Sequence, residues 1–107
     1  MANSTIDVIL KILDHLDKSM DDDEVNVEPI MPEALGITEA RWSRVIGMML
    51  EEGLIDGFKD VTSLDSAYEE YIPSMPRITF KGLNYLSENT GFSKLYRAAK
   101  EIKDWIK

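Results

Sequence analysis

Arg41 and Arg44 stand three residues apart, with Ser43 between them and Gly47 nearly one turn further on. At helical spacing these positions share an outward arc with Ala40, Met48 and Glu51, opposite Trp42 and Val45. Guanidinium forks on such an arc can reach guanine edges or phosphates. A mid-helix glycine costs about 1 kcal/mol relative to alanine. On an exposed arc it fits a surface that something approaches closely; the plain alternative is a tolerated defect beside two solvated arginines. Lys59 and Lys81 are placed to add phosphate contacts. The candidate DNA-contacting set is Arg41, Ser43, Arg44, Gly47, Lys59 and Lys81.

Other constellations fail on residue type or spacing. There is no cysteine, so neither a thiol nucleophile nor a thiolate metal site is available. His15 is the single histidine and has no second imidazole to complete a transition-metal site. Asp21, Asp22, Asp23, Glu24 and Glu28 invite a calcium loop, but counting from Asp21 the fifth position is Val25 and the sixth is Asn26 where glycine is needed. A solvated acidic loop is the simpler reading. Glu51-Glu52 and Glu69-Glu70 are adjacent acids, and helical neighbours do not face each other. No phosphate-cradling glycine loop or nucleophile elbow is present. The expectation is a binding protein, not an enzyme, with no cofactor, metal or catalytic residue.

Charge complicates the DNA reading. Twenty acids oppose twelve bases, net −8, which repels nucleic acid at long range. Residues 1–30 hold eight acids and two bases, 31–58 five and two, and 59–76 four and one; only 77–107 turn basic, with three acids and seven bases. A wing that tracks phosphates should be basic, yet Lys59 faces Asp60, Asp65, Glu69 and Glu70.

The elements that position these residues follow from periodicity and caps. Ile6, Ile9, Leu10, Leu13, Leu16 and Met20 make one face of a helix over about 5–20, ended by the acids that follow. Val25-Asn26-Val27 alternates as a very short strand. Pro32 opens a short helix, 32–35, which Gly36 closes. Thr38 caps a longer helix, 39–52, with Trp42, Val45, Ile46, Met49 and Leu50 turned inward. Strands over 54–58 and 68–72 make a hairpin with a long tip, ended by Pro73 and Pro76. Helices over 79–88 and 92–106 complete the chain. The expected fold class is α+β, mostly helical: one winged helix-turn-helix domain over 1–107 with additional C-terminal helices. Hydrophobic residues at 44% and charged residues at 30% suit one globular domain of this length.

Particular residues carry a resemblance. Gly36-Ile37-Thr38-Glu39, Trp42, Glu52-Gly53 followed by Ile55, and Ile78-Thr79-Phe80-Lys81-Gly82 with Tyr85-Leu86 and Glu88-Asn89 resemble the YjcQ family, as does the ending Ser93-Lys94 … Lys100-Glu101-Ile102-Lys103-Asp104-Trp105-Ile106-Lys107. These are small bacterial and phage winged-helix proteins. The resemblance spans roughly residues 5–107 and departs at a longer acidic segment, 21–28, and a longer wing, 59–70. It implies fold and compartment, and assigns no functional residue.

Two functions are expected. One is a DNA-binding regulator, dimeric, with 39–52 in the major groove of double-stranded DNA. The other is an acidic protein-interaction module that keeps the scaffold without binding DNA. The last helix, 92–106, either packs within the subunit or forms a homodimer seam, with Lys94, Arg97, Lys100 and Lys103 along its other side. No apolar run approaches the roughly 20 residues of a membrane span. The N-terminal Met1-Ala2-Asn3-Ser4-Thr5 lacks the basic start of a signal peptide, so a cytoplasmic location is expected.

Overall fold

Helix α1, Thr5–Lys18, starts where the Ser4 side chain accepts a hydrogen bond from the Asp7 amide at 3.1 Å, with Asp7 in the first turn. It buries Val8, Ile9, Ile12, Leu13 and Leu16. The computed structural model describes residues 4–89. The helix expected over 92–106 lies outside them.

Past Lys18 the chain tightens into a 3₁₀ turn, Ser19–Asp21, and the acidic residues 21–24 are exposed. The strand expected at Val25-Asn26-Val27 does not form. Its backbone bonds locally instead: His15 Nε2 lies 2.6 Å from the Asn26 carbonyl oxygen, and the Ile30 amide donates to the Val27 carbonyl at 3.0 Å. A second 3₁₀ turn, Glu28–Ile30, leads into α2, Pro32–Leu35. Gly36 closes α2 in the left-handed conformation at φ 69°. Helix α3, Glu39–Glu51, begins at Thr38, whose hydroxyl accepts from the Arg41 amide at 3.1 Å.

Strands β1, Ile55–Asp60, and β2, Tyr71–Ile78, pair antiparallel as the wing. The return strand therefore lies later than the expected 68–72 and contains Pro73 and Pro76 rather than ending at them. Both strands of a two-stranded ribbon are edge strands, which tolerate proline where no ladder bond is lost. Asp56 pairs with Arg77 and Phe58 with Pro73, so Gly57 alone faces three residues of β2. This bulge holds Gly57 at φ 84°, where a Cβ would collide with the Met75 carbonyl oxygen. Thr79 then accepts from the Gly82 amide at 3.0 Å and starts α4, Phe80–Asn89.

The buried side chains form one cluster drawn from α1, α2, α3, the base of the wing and α4. Trp42, Val45, Ile46 and Met49 are buried as expected, whereas Leu50 is only half-buried. Trp42 Nε1 donates to the Ile30 carbonyl at 2.7 Å, which satisfies the indole and pins the segment before α2 onto α3. The architecture is α+β and helix-rich with a two-stranded sheet, compatible with a winged-helix-like fold.

Candidate functional site

Burial of the Trp42 arc leaves the opposite arc of α3 to meet the wing. Antiparallel pairing of β1 and β2 alternates side chains between two faces. On one face Phe58 reaches Trp42, with ring centroids 6.4 Å apart. Tyr71, on that face too, lies across Gly47: a Cβ there would stand 3.3 Å from the Tyr71 hydroxyl oxygen and 3.5 Å from the ring. The close neighbour implied by a mid-helix glycine is thus a side chain of the same chain.

Tyr71 is held in turn by Glu69, whose carboxylate accepts its hydroxyl at 2.7 Å. That hydrogen bond, helped by burial and the nearby negative charges of Glu69, Asp60 and Glu51, pushes the phenol pKa up to about 12. Between α3 and the wing lies an open cleft of about 630 Å³. Its walls bring Gly47, Met48, Leu50 and Tyr71 together with Arg44, Glu51 and Glu69. Met48 is 44% exposed. The lining thus holds two carboxylates and one guanidinium beside apolar surface.

Of the six residues singled out from the sequence, Ser43, Arg44 and Gly47 line the cleft together, and Arg41, Lys59 and Lys81 lie outside it. Ser43, expected on the outward arc, is buried at 4% exposure, where α3 faces Tyr71 and Glu69 across the cleft. Arg41 is half-buried and its Nη2 donates to Thr5 Oγ1 at 3.2 Å, which ties it to the start of α1. Arg44 is exposed, with its guanidinium 5.9 Å from the centroid of the Tyr68 ring, a cation–π distance. Gly47 lies under Tyr71. Lys59 pairs with Ile72 and so points to the face of the wing opposite Tyr71. The exposed Lys81 has its stem over Gly53, at the far end of α3, about 18 Å in helical rise from Arg41. Sequence reasoning missed Tyr68, Glu69 and Tyr71. The signal for them was Gly47 itself, which announced a close neighbour without naming it.

Elsewhere, the Arg77 guanidinium donates to Asp56 at 2.9 Å on the exposed face of the wing and, with the Gly57 amide, holds that carboxyl below its ordinary range. Among the described residues no three His, Cys, Asp or Glu side chains gather where a metal ion could sit, and no helix is long and apolar enough to cross a membrane.

Residues 10–105 match the family model described as YjcQ protein. The uncharacterized protein YjcQ of Bacillus subtilis (strain 168) is 36% identical over 83 residues, covering 74% of this chain and 80% of that protein. The chain belongs to the YjcQ family. No solved structure matches it. The match includes all of α2, α3, both wing strands and α4, so the YjcQ sequence spans the elements that build the cleft. YjcQ membership agrees with the resemblance read from the Gly36–Glu39, Trp42 and Ile78–Gly82 stretches, and it brings no activity with it.

Proposed function

We propose that this domain is a protein-docking module, with the cleft between α3 and the wing as its contact surface. Its ligand is a segment of a partner protein that carries a cation beside an apolar side chain. The observation that carries this reading is Tyr71 packed over Gly47. It covers the part of α3 where a ligand backbone would come closest, and it brings Glu69 alongside Glu51. Apolar surface beside two carboxylates suits a lysine or arginine next to a hydrophobic anchor. The same acids oppose a phosphate backbone, whose binding is driven by cations that release counterions.

Double-stranded DNA is the second reading. The helix-turn-helix order and the exposed Arg44 favour it. It needs α3 to enter the major groove with its outward arc free, whereas Tyr71 and Glu69 cover part of that arc.

One experiment separates them. A photo-crosslinking amino acid replacing Met48 is used in the producing cells, and duplex DNA is titrated onto the purified chain at low salt. The expected result is one stoichiometric protein adduct, lost on Glu51→Lys with Glu69→Lys, and no saturable DNA binding. Saturable duplex binding that disappears with Arg41→Ala and Arg44→Ala, without any protein adduct, overturns the proposal.

A further inference from the structure

We propose that the C-terminal segment, residues 92–107, docks in cis into a second groove, between the acidic loop after α1 and the return strand β2. This is independent of the reading of the α3 cleft. The groove is about 570 Å³, walled by Asp23, Glu24, Val25 and Val27 on one side and by Met75 and Pro76 on the other. Met75 is 80% exposed, and Phe80, which begins α4 three residues beyond Arg77, is 79% exposed. Met75 thus leaves apolar surface in the groove wall open to water, which a docked segment would cover.

Charge and pattern select the occupant. The loop wall is acidic, with Asp21 and Asp22 preceding Asp23 and Glu24. Arg77, the cation in the opposite wall, is engaged with Asp56 at 2.9 Å. Residues 92–107 carry Lys94, Arg97, Lys100, Lys103 and Lys107 against Glu101 and Asp104. Phe92, Leu95, Ala99, Ile102 and Ile106 recur among them at helical spacing. The segment thus brings an apolar stripe and a basic surplus to a groove that is apolar inside and acidic at its rim.

Length permits the contact. Asn89 lies one α4 length, about 15 Å, from Phe80. Phe80 is three residues, at most about 10 Å, from the groove wall at Arg77. The 18 residues from 90 to 107 span about 27 Å even at the helical rise, and about 60 Å extended. Asn89-Thr90-Gly91 supplies the residue types of a chain reversal. The tether gives the segment a millimolar effective concentration at the groove, which favours docking in cis over a second copy.

The chain has no cysteine, so introduced pairs report proximity without interference. Dilute full-length protein carrying Met75→Cys and Ile106→Cys is oxidised alongside protein carrying Leu64→Cys and Ile106→Cys. Leu64 stands fully exposed in the wing loop and serves as the remote control. The expected result is an intramolecular disulfide at least tenfold faster for the first pair, slowed at least fivefold by Asp23→Lys with Glu24→Lys. Equal rates for the two pairs, or indifference to the charge reversal, overturn the proposal. A product of twice the chain mass that grows with concentration assigns the groove to a second copy and overturns docking in cis. Positions 64 and 75 lie outside the core, and an unchanged thermal midpoint verifies that both variants are folded.

Discussion

The Tyr71 hydroxyl oxygen stands 3.3 Å from the point where a side chain at Gly47 would begin. This contact joins the return strand of the wing to the middle of α3. It decides what that helix can present to a partner.

Gly47→Ala tests the tightness of the contact. The methyl group restores helix propensity worth about 1 kcal/mol, and the atom it presses is the tip of a side chain hydrogen-bonded to the exposed Glu69, so that the pair can shift together by a few tenths of an ångström. We expect a gain of about 0.5–1 kcal/mol in urea unfolding. Gly47→Leu, which no such shift can accommodate, should expel Tyr71 and lower stability. A loss on Gly47→Ala would show the ring to be fixed.

Tyr71 should give up its proton late in an alkaline titration. Its folded pKa of about 12 lies above the ordinary value near 10, so the folded state holds this proton more tightly than the unfolded state. The stability that this contributes is complete below about pH 10 and is lost as pH rises toward 12. Ultraviolet titration of phenolate in the folded chain should show a late step that Tyr71→Phe removes and that Glu69→Gln moves to lower pH.

Gly82→Ala should behave in the opposite way to Gly47→Ala. A Cβ at position 82 would run into the backbone carbonyl oxygen of Leu54 and come within 2.8 Å of Ile78 Cγ1. Backbone cannot give way as a side-chain tip does, so α4 must move off the base of the wing. A loss of about 2 kcal/mol or more is expected in urea unfolding. A neutral result would mean that α4 is not seated against Leu54.

Trp42→Phe removes the donor to the Ile30 carbonyl and leaves a gap in a site that is 2% exposed. The expected cost is about 2–4 kcal/mol, combining an orphaned acceptor with lost packing. Amide exchange at Ile30 and Met31 should accelerate, because their turn loses its anchor to α3.

Elements with local causes were legible in the sequence. Thr38 caps α3, Pro32 and Gly36 bracket α2, and the Trp42 arc turns inward, because each depends on residues within a few positions of one another. The elements that failed depend on distant partners. Val25-Asn26-Val27 alternates like a strand but finds no ladder, and its backbone bonds to His15 and Ile30. Pro73 and Pro76 look like terminators until pairing makes β2 an edge strand.

The candidate site divides in the same way. Composition and order alone determined the acidic balance, the absence of cysteine, the helix pair around Gly36–Thr38 and the YjcQ resemblance, since these need no knowledge of what packs where. Tertiary structure decided that Tyr71 covers Gly47, that Ser43 is buried, and that Lys59 points away from α3. Those outcomes rest on strand register and on the bulge at Gly57, and a one-residue slip in register would exchange the two faces of the wing. No local signal specifies register across a loop of ten residues, from Val61 to Glu70, so that choice belongs to the packing of the whole domain.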